Sequence, residues 1–263
     1  MELKALKTQR FEGKFDLISA IKMALESSKS SLNNGDVLVL SSKVVSISEN
    51  RTVQISKVIP GESAKKHRVS RYGTGKEDPR VIELVMQEAD AIMPGKMLIA
   101  LKDGNFLPSA GIDLSNVPND IAVLLPKNSW KSAQKISAQL KKIYKLKKLG
   151  VIVIDSRCQP LRWGTVGIAL GWAGFEGVED ARGQKDLYGK PLKVTQKAVA
   201  DNLASAAEVV MGESNESTPF VLISNAPVKF TDKIPDPKKL RIKPSECIFE
   251  GIYETSVKRI MNN

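Results

Sequence analysis

The stretch VIVIDSRC, residues 151–158, sets four β-branched aliphatics in a row and then turns to an aspartate followed by a hydroxyl. Such a run reads as a strand covered on both faces. Upstream of it stand a second apolar run, IAVLLP from residue 121, and a helical pattern from Ser132 to Lys148. Strand, helix and strand over 121–154 predict a βαβ unit with a right-handed crossover, and with it an α/β fold with mixed sheets. The end of the stretch poses a question of its own. A carboxylate bordering hydrocarbon is costly unless it is paired, hydrogen-bonded or bound to a cation, so Asp155 is either a cap or half of a metal site.

Further upstream, DLISAIKMALESS carries Leu17, Ile18, Ile21, Met23, Ala24 and Leu25 at helical spacing. NNGD breaks the pattern, and VLVL follows as a buried strand. VVSIS and RTVQISKVI, within 41–58, alternate like a strand or hairpin. Residues 60–79 are polar and turn-rich, an exposed connection into the helix DPRVIELVMQEAD, and KMLIAL meets the hairpin signal DGN. Downstream, VTQKAVADNLASAAEVVMG places Val194, Ala198, Leu203, Ala207 and Val210 or Met211 on one helical side, with Gly212 as its stop. FVLIS is the next strand, and ECIFEGIYETSVKRI near the end reads as a final helix.

The totals exclude several classes. No run approaches the roughly 18 apolar residues of a membrane helix, and Met1 to Phe11 lacks the apolar centre of a secretory signal, so the expectation is a cytoplasmic protein. The cysteines Cys158 and Cys247 match no metal-ligand spacing, and with His67 as the only histidine a zinc site or a Ser-His-Asp triad has little material. A net charge of +11 raises nucleic acid as a partner. The lysines of LKKIYKLKKLG at 140–150 instead alternate with an apolar stripe, and aromatics are not interleaved with the basic positions. A polyanionic small substrate suits the charge better.

Chemistry concentrates in two loops. SAGIDLSNVPND, residues 109–120, packs Asp113, Ser115, Asn116, Asn119 and Asp120 together, and residues 164–190 hold seven glycines in 27 positions. YGTGKED lacks the spacing of a phosphate-binding P-loop. Both loops are too long and polar to be economical connections, and loops of that kind hold ligands.

AGIDLSN, VIVIDS, RGQKDLYGKPLKVTQKAVADNLASAAEVVMGE and PFVLIS together resemble the coenzyme F420:L-glutamate ligase family over roughly the whole chain. The resemblance implies one ligase unit over 1–263 with two intertwined subdomains, split near 1–60 plus 190–263 against 61–189, in a family-specific fold that forms a homodimer. It implies metal ligands at Asp113, Asp155, Ser156 and Glu213, binding Mg²⁺ or Mn²⁺ with K⁺ as a further cation. It implies GTP contacts at Ser42, Lys43 and Asn116, along Met211, Gly212, Glu213, Ser214, Asn215, Glu216, Ser217 and Thr218, and at TQRF (8–11). GTP, L-glutamate and a phosphorylated deazaflavin acceptor are the implied substrates. Hard oxygen ligands do suit Mg²⁺ or Mn²⁺ bridging nucleotide phosphates. Asp113, Asp155 and Arg162 are the expected catalytic residues, and Arg162, Arg182 and Lys185 the candidates for holding phosphate or carboxylate oxygens.

The chain departs from the family pattern at named places. Where the family has Asp-Thr followed by Phe-Gly-Arg-Pro-Trp-Arg, this chain reads DSRCQPLR, with Arg157, Cys158 and Gln159 changed. Ile47 stands in place of a lysine, Glu213 in place of a glutamine, and Asp103-Gly104 in place of His-Gly. The changed neighbours leave a divergent amide ligase or a phosphoryl-transfer enzyme acting on another acid or nucleotide, or a nonenzymatic phosphate-ligand-binding paralogue, as the alternative classes.

Overall fold

The computed structural model describes residues 1–11, 13–67, 77–93, 98–237, 242 and 246–249. Its elements are, in chain order, β1 (Glu2–Leu6), α1 (Leu17–Ser27), β2 (Asp36–Ser41), α2 (Ser42–Ser48), β3 (Thr52–Gln54), α3 (Glu62–Lys66), α4 (Pro79–Glu88), β4 (Ala91–Met93), β5 (Ile99–Lys102), β6 (Asn105–Pro108), β7 (Ile121–Val123), α5 (Ser129–Tyr144), β8 (Leu149–Cys158), β9 (Thr165–Ala173), β10 (Glu179–Asp180), β11 (Gln196–Lys197), α6 (Val199–Met211) and β12 (Phe220–Ser224). Helices and mixed sheets make the α/β class that the sequence predicts.

A five-stranded sheet in the order β1-β12-β2-β8-β9 is the centre of the molecule. β2 and β8 run parallel, from Asp36 opposite Leu149 to Ser41 opposite Ile154, and the other neighbours are antiparallel. The VIVI run is continuous because both faces are covered. Val151 and Val153 pack with Ile21 and Leu25 of α1 and Ile136 and Leu140 of α5, whereas Ile152 and Ile154 pack with Leu203, Ala204, Ala207 and Met211 of α6. A β-bulge between Val153 and Ile154 leaves Leu170 of β9 without a partner, and Asp201 of α6 accepts the nearby Ala169 N–H at 2.9 Å. The antiparallel sheet β4-β5-β6 lies outside this centre and has its own apolar cluster, built around Leu84, Val85, Leu98 and Ile112.

Several expectations need correction. β7 pairs with β3 in a separate two-stranded sheet, so the strands flanking α5 share no sheet and 121–154 is not a βαβ unit. The parallel partner of β8 is β2, more than a hundred residues upstream. VVSIS is helix α2, not a strand. Val44, Val45, Ser46 and Ile47 are all buried, and enclosure on every side overrides the strand preference of β-branched residues. α5 begins at Ser129 because Asn128 caps it, accepting the Lys131 N–H at 2.9 Å, and α6 begins at Val199 because Gln196 and Lys197 pair with β10. The helices at 17–27 and 79–88, the hairpin of β5 and β6, and the strand at 220–224 stand as expected. Most of the predicted final helix lies outside the described residues.

Candidate active site

The C-terminal ends of β2 and β8, the parallel pair, open onto a cleft of about 440 Å³. Carboxyl ends of parallel strands are where open α/β sheets place ligands. Each strand delivers its chemistry as it ends. β2 runs directly into α2, whose first residues are Ser42 and Lys43, and β8 presents Asp155 and Ser156 just past Ile154, its last partner on β2. The Ser41 N–H donates to the Pro219 carbonyl at 3.0 Å, which draws the segment between α6 and β12 over the same edge.

The loop 109–120 enters from the other side. Asp113 is pinned by two backbone hydrogen bonds with Val123, each 2.9 Å, and its Oδ1 accepts the Ser115 N–H at 2.7 Å. Its Oδ2 lies 2.7 Å from Lys43 Nζ. Asn116 reaches across the cleft and donates from Nδ2 to the Ser214 carbonyl at 2.6 Å. The 212–219 segment is itself well braced. The Thr218 hydroxyl donates to the Met211 carbonyl at 2.6 Å, the Ser214 N–H donates to Glu216, and the Thr8 N–H donates to the Ser217 carbonyl at 2.8 Å.

Ser42, Lys43, Asp113, Asn116, Asp155, Ser156 and every residue from Met211 to Thr218 therefore line one cleft, joined by Thr8, Gln9, Arg10 and Phe11 and by Ile47. Arg162 does not. It is exposed at the tip of the β8–β9 hairpin, and Arg182 and Lys185 are exposed on the loop between β10 and β11. Residues 5–225 match the sequence model of the F420-0:gamma-glutamyl ligase family. The chain belongs to that family. As a member of the F420-0:gamma-glutamyl ligase family it is an amide-forming ligase. Among similar proteins is the coenzyme F420:L-glutamate ligase of Methanopyrus kandleri, 36% identical over 224 residues that cover 83% of this chain and 86% of the relative. That of Methanococcus maripaludis is 39% identical over 221 residues, with the same coverage. The ligase of Methanocaldococcus jannaschii is 40% identical over 206 residues, covering 76% and 79%.

The electrostatics of the cleft in this family member are those of crowded carboxylates. Burial pushes the Asp155 carboxyl up to about 7, helped by the charges of Asp113 and Glu213, against the Ser156 N–H that it accepts at 3.0 Å. Burial also acts on Asp113, but the Lys43 ammonium and the hydrogen bonds from Lys43 and Ser115 outweigh it and hold Asp113 below the usual range. A further carboxylate, Glu208 of α6, was not foreseen. Burial and the neighbouring Glu213 raise it to about 8, and its Oε1 is buried without a partner. The sequence carried a signal for it. Glu208 follows Ala204 by four residues, on the edge of the stripe of Ala204, Ala207 and Met211 that α6 buries.

Close packing holds Glu208 in place. A Cβ on Gly167 of β9 would lie 2.6 Å from the Ala204 carbonyl oxygen and 3.1 Å from Glu208 Cβ, so only glycine lets α6 sit directly on the strand. Among the described residues no three Asp, Glu, His or Cys side chains are gathered tightly enough to form a preformed cation cage. Asp155 and Glu208 nonetheless fit a cation chemically. They are oxygen donors held partly protonated by mutual repulsion and burial, a condition that a bound cation relieves.

Proposed function

We propose that this protein is a GTP-dependent, divalent-metal-dependent ligase that forms a γ-linked amide between L-glutamate and the phosphorylated deazaflavin F420-0. The observation that carries this is the convergence of Lys43, Asp113, Asn116, Asp155, Ser156 and Glu213, from four separate segments, on one cleft. The names of the similar proteins of Methanopyrus kandleri and Methanococcus maripaludis support L-glutamate and the F420 acceptor.

In this reading the terminal carboxylate of the acceptor attacks the γ-phosphorus of GTP. The bond to the bridging oxygen breaks, GDP departs, and an acyl phosphate forms. The glutamate amine then attacks the acyl carbon, phosphate leaves with the bonding electrons, and the amine proton passes to solvent or phosphate. Phosphoryl transfer asks the protein mainly for positioning and charge neutralisation. Lys43, Asn116 and the 211–218 segment hold the nucleotide, and Asp113, Asp155, Ser156 and Glu213, with Glu208 beside them, would hold Mg²⁺ or Mn²⁺. When bound, the cation offsets phosphate charge in the transferring group. The reaction takes place in the cytoplasm, and among the described residues no helix is long and apolar enough to cross a membrane.

The decisive experiment is a mass spectrum of F420-0 after incubation with the protein, glutamate, Mg²⁺ and GTP. A glutamate-mass increment that requires GTP supports the reading, and an unchanged acceptor refutes it. We propose further that the active unit is a homodimer. Leu161 and Trp163 on the β8–β9 hairpin and Leu187 and Tyr188 on the next long loop are almost wholly exposed, and like-charged basic subunits need an apolar interface. Light scattering near 29 kDa, the mass of one chain (28.8 kDa), would count against it.

A further inference from the structure

Lys43 is in a position that the proposed function does not explain. Its Nζ lies 2.7 Å from Asp113 Oδ2, 3.0 Å from the Ser115 carbonyl and 3.2 Å from the Ser115 hydroxyl. An ammonium has three N–H donors, and three oxygens take them. Lys43 as it stands has no donor left for a nucleotide phosphate, and both Asp113 carboxylate oxygens are already paired.

We infer that Lys43 is a placeholder cation: its ammonium fills the oxygen cradle of Asp113 in the empty protein and passes to the nucleotide phosphates when a divalent ion takes its place. This rests on the reading of the cleft as a metal–nucleotide site. The geometry suits an exchange confined to side chains. Asp113 is fixed through its backbone pairing with Val123 and through Oδ1, which leaves Oδ2 as the exchangeable oxygen. Lys43 is a flexible stem on the first turn of α2, and the Lys43 and Asp113 side chains keep 20% and 38% of their surface open to the cleft. A divalent ion arriving alone must move the ammonium off Asp113 toward the other carboxylates of the cleft, Asp155 and Glu213 among them, where it competes with the ion for the same charge. Arriving with a triphosphate, it finds the ammonium a better partner. The two ligands therefore help each other, because each favours the released state of Lys43.

The test is Mn²⁺ titration, followed by electron paramagnetic resonance, of the wild-type protein, Lys43→Met and Lys43→Arg, each with and without a nonhydrolysable GTP analogue. In the wild type the analogue should tighten Mn²⁺ by a factor within the roughly 5–150-fold range usual for coupled sites. Lys43→Met should bind Mn²⁺ alone at least about fivefold more tightly than the wild type and lose most of the coupling. Lys43→Arg, which still neutralises Asp113, should keep the weak cation-only binding, and its behaviour separates charge from any disturbance of the fold. Equal cation-only affinity of the wild type and Lys43→Met, with the analogue still tightening both, overturns the placeholder and leaves the ligase reading standing. Mn²⁺ that binds none of the proteins under either condition overturns both.

Discussion

Replacing Asp155 by asparagine should make the protein more stable, and increasingly so as the pH rises. The Asp155 carboxyl is raised from its ordinary 3.8 to about 7 in the fold. A carboxyl with a raised folded-state pKa binds its proton more tightly when folded than when unfolded. Its stabilising effect is therefore complete below about pH 4 and is lost as the pH climbs through about 7. At about 1.4 kcal/mol per pH unit, the loss has a ceiling of about 4 kcal/mol. The open cleft beside Asp155 screens the charge, so about 2 kcal/mol between pH 5 and pH 8 is the expected figure. Asparagine has no such titration and its Oδ1 still accepts the Ser156 N–H. Urea unfolding of both proteins in chelator at pH 5, 6, 7 and 8 reads the gap directly. Its widening toward pH 8 supports the crowded-carboxylate reading, and added Mn²⁺ should narrow it by stabilising only the wild type. Parallel stability profiles across that range would refute the burial and repulsion invoked here.

Three further outcomes test the same site. Gly167→Ala should cost about 1–3 kcal/mol of stability through overpacking against Ala204, and weaken Mn²⁺ binding by shifting Glu208. Gly171→Ala, which would meet the Ser129–Trp130 backbone of α5 instead, should cost similar stability with cation affinity intact, and equal affinity losses would undo the distinction. Glu213→Gln removes a charge beside Glu208 and Asp155. Calorimetry should show weaker Mn²⁺ binding and unchanged or tighter GTP binding, whereas unchanged Mn²⁺ affinity would place Glu213 outside the donor set. Asn116→Ala cuts the 2.6 Å link to the Ser214 carbonyl. At about 1 kcal/mol for such a bond, KM for GTP should rise severalfold with kcat nearly unchanged, and an unaltered KM would show that the link does not shape the nucleotide site.

What was legible in the sequence follows the range of the forces. Periodicity and start signals are local, so α1 with its apolar spacing, α4 with its proline start and the β5–β6 turn could be read directly. α2 could not, because its helix depends on burial by neighbours distant in sequence rather than on its own β-branched residues. The βαβ expectation failed for a related reason. Adjacency in sequence suggested that β7 and β8 share a sheet, but β8 finds its parallel partner in β2, and nothing local in either strand announces that pairing.

The same division runs through the site. Asp155 and Ser156 could be singled out because a carboxylate and a hydroxyl break off an apolar run, a local violation with a physical cost. The union of Asp113 with Lys43, 70 residues apart, depends on the pairing of β3, just after α2, with β7 and on the Asp113–Val123 bridge, which bring the two to 2.7 Å. Glu208 could be placed from sequence only on the edge of the buried stripe of α6, and its closure against Gly167 shows only in three dimensions. Residue type thus named the donors, and topology decided their partners. The partners control the chemistry, because the same Asp113 is an open cation ligand or a lysine's counter-ion according to what stands 2.7 Å from its Oδ2.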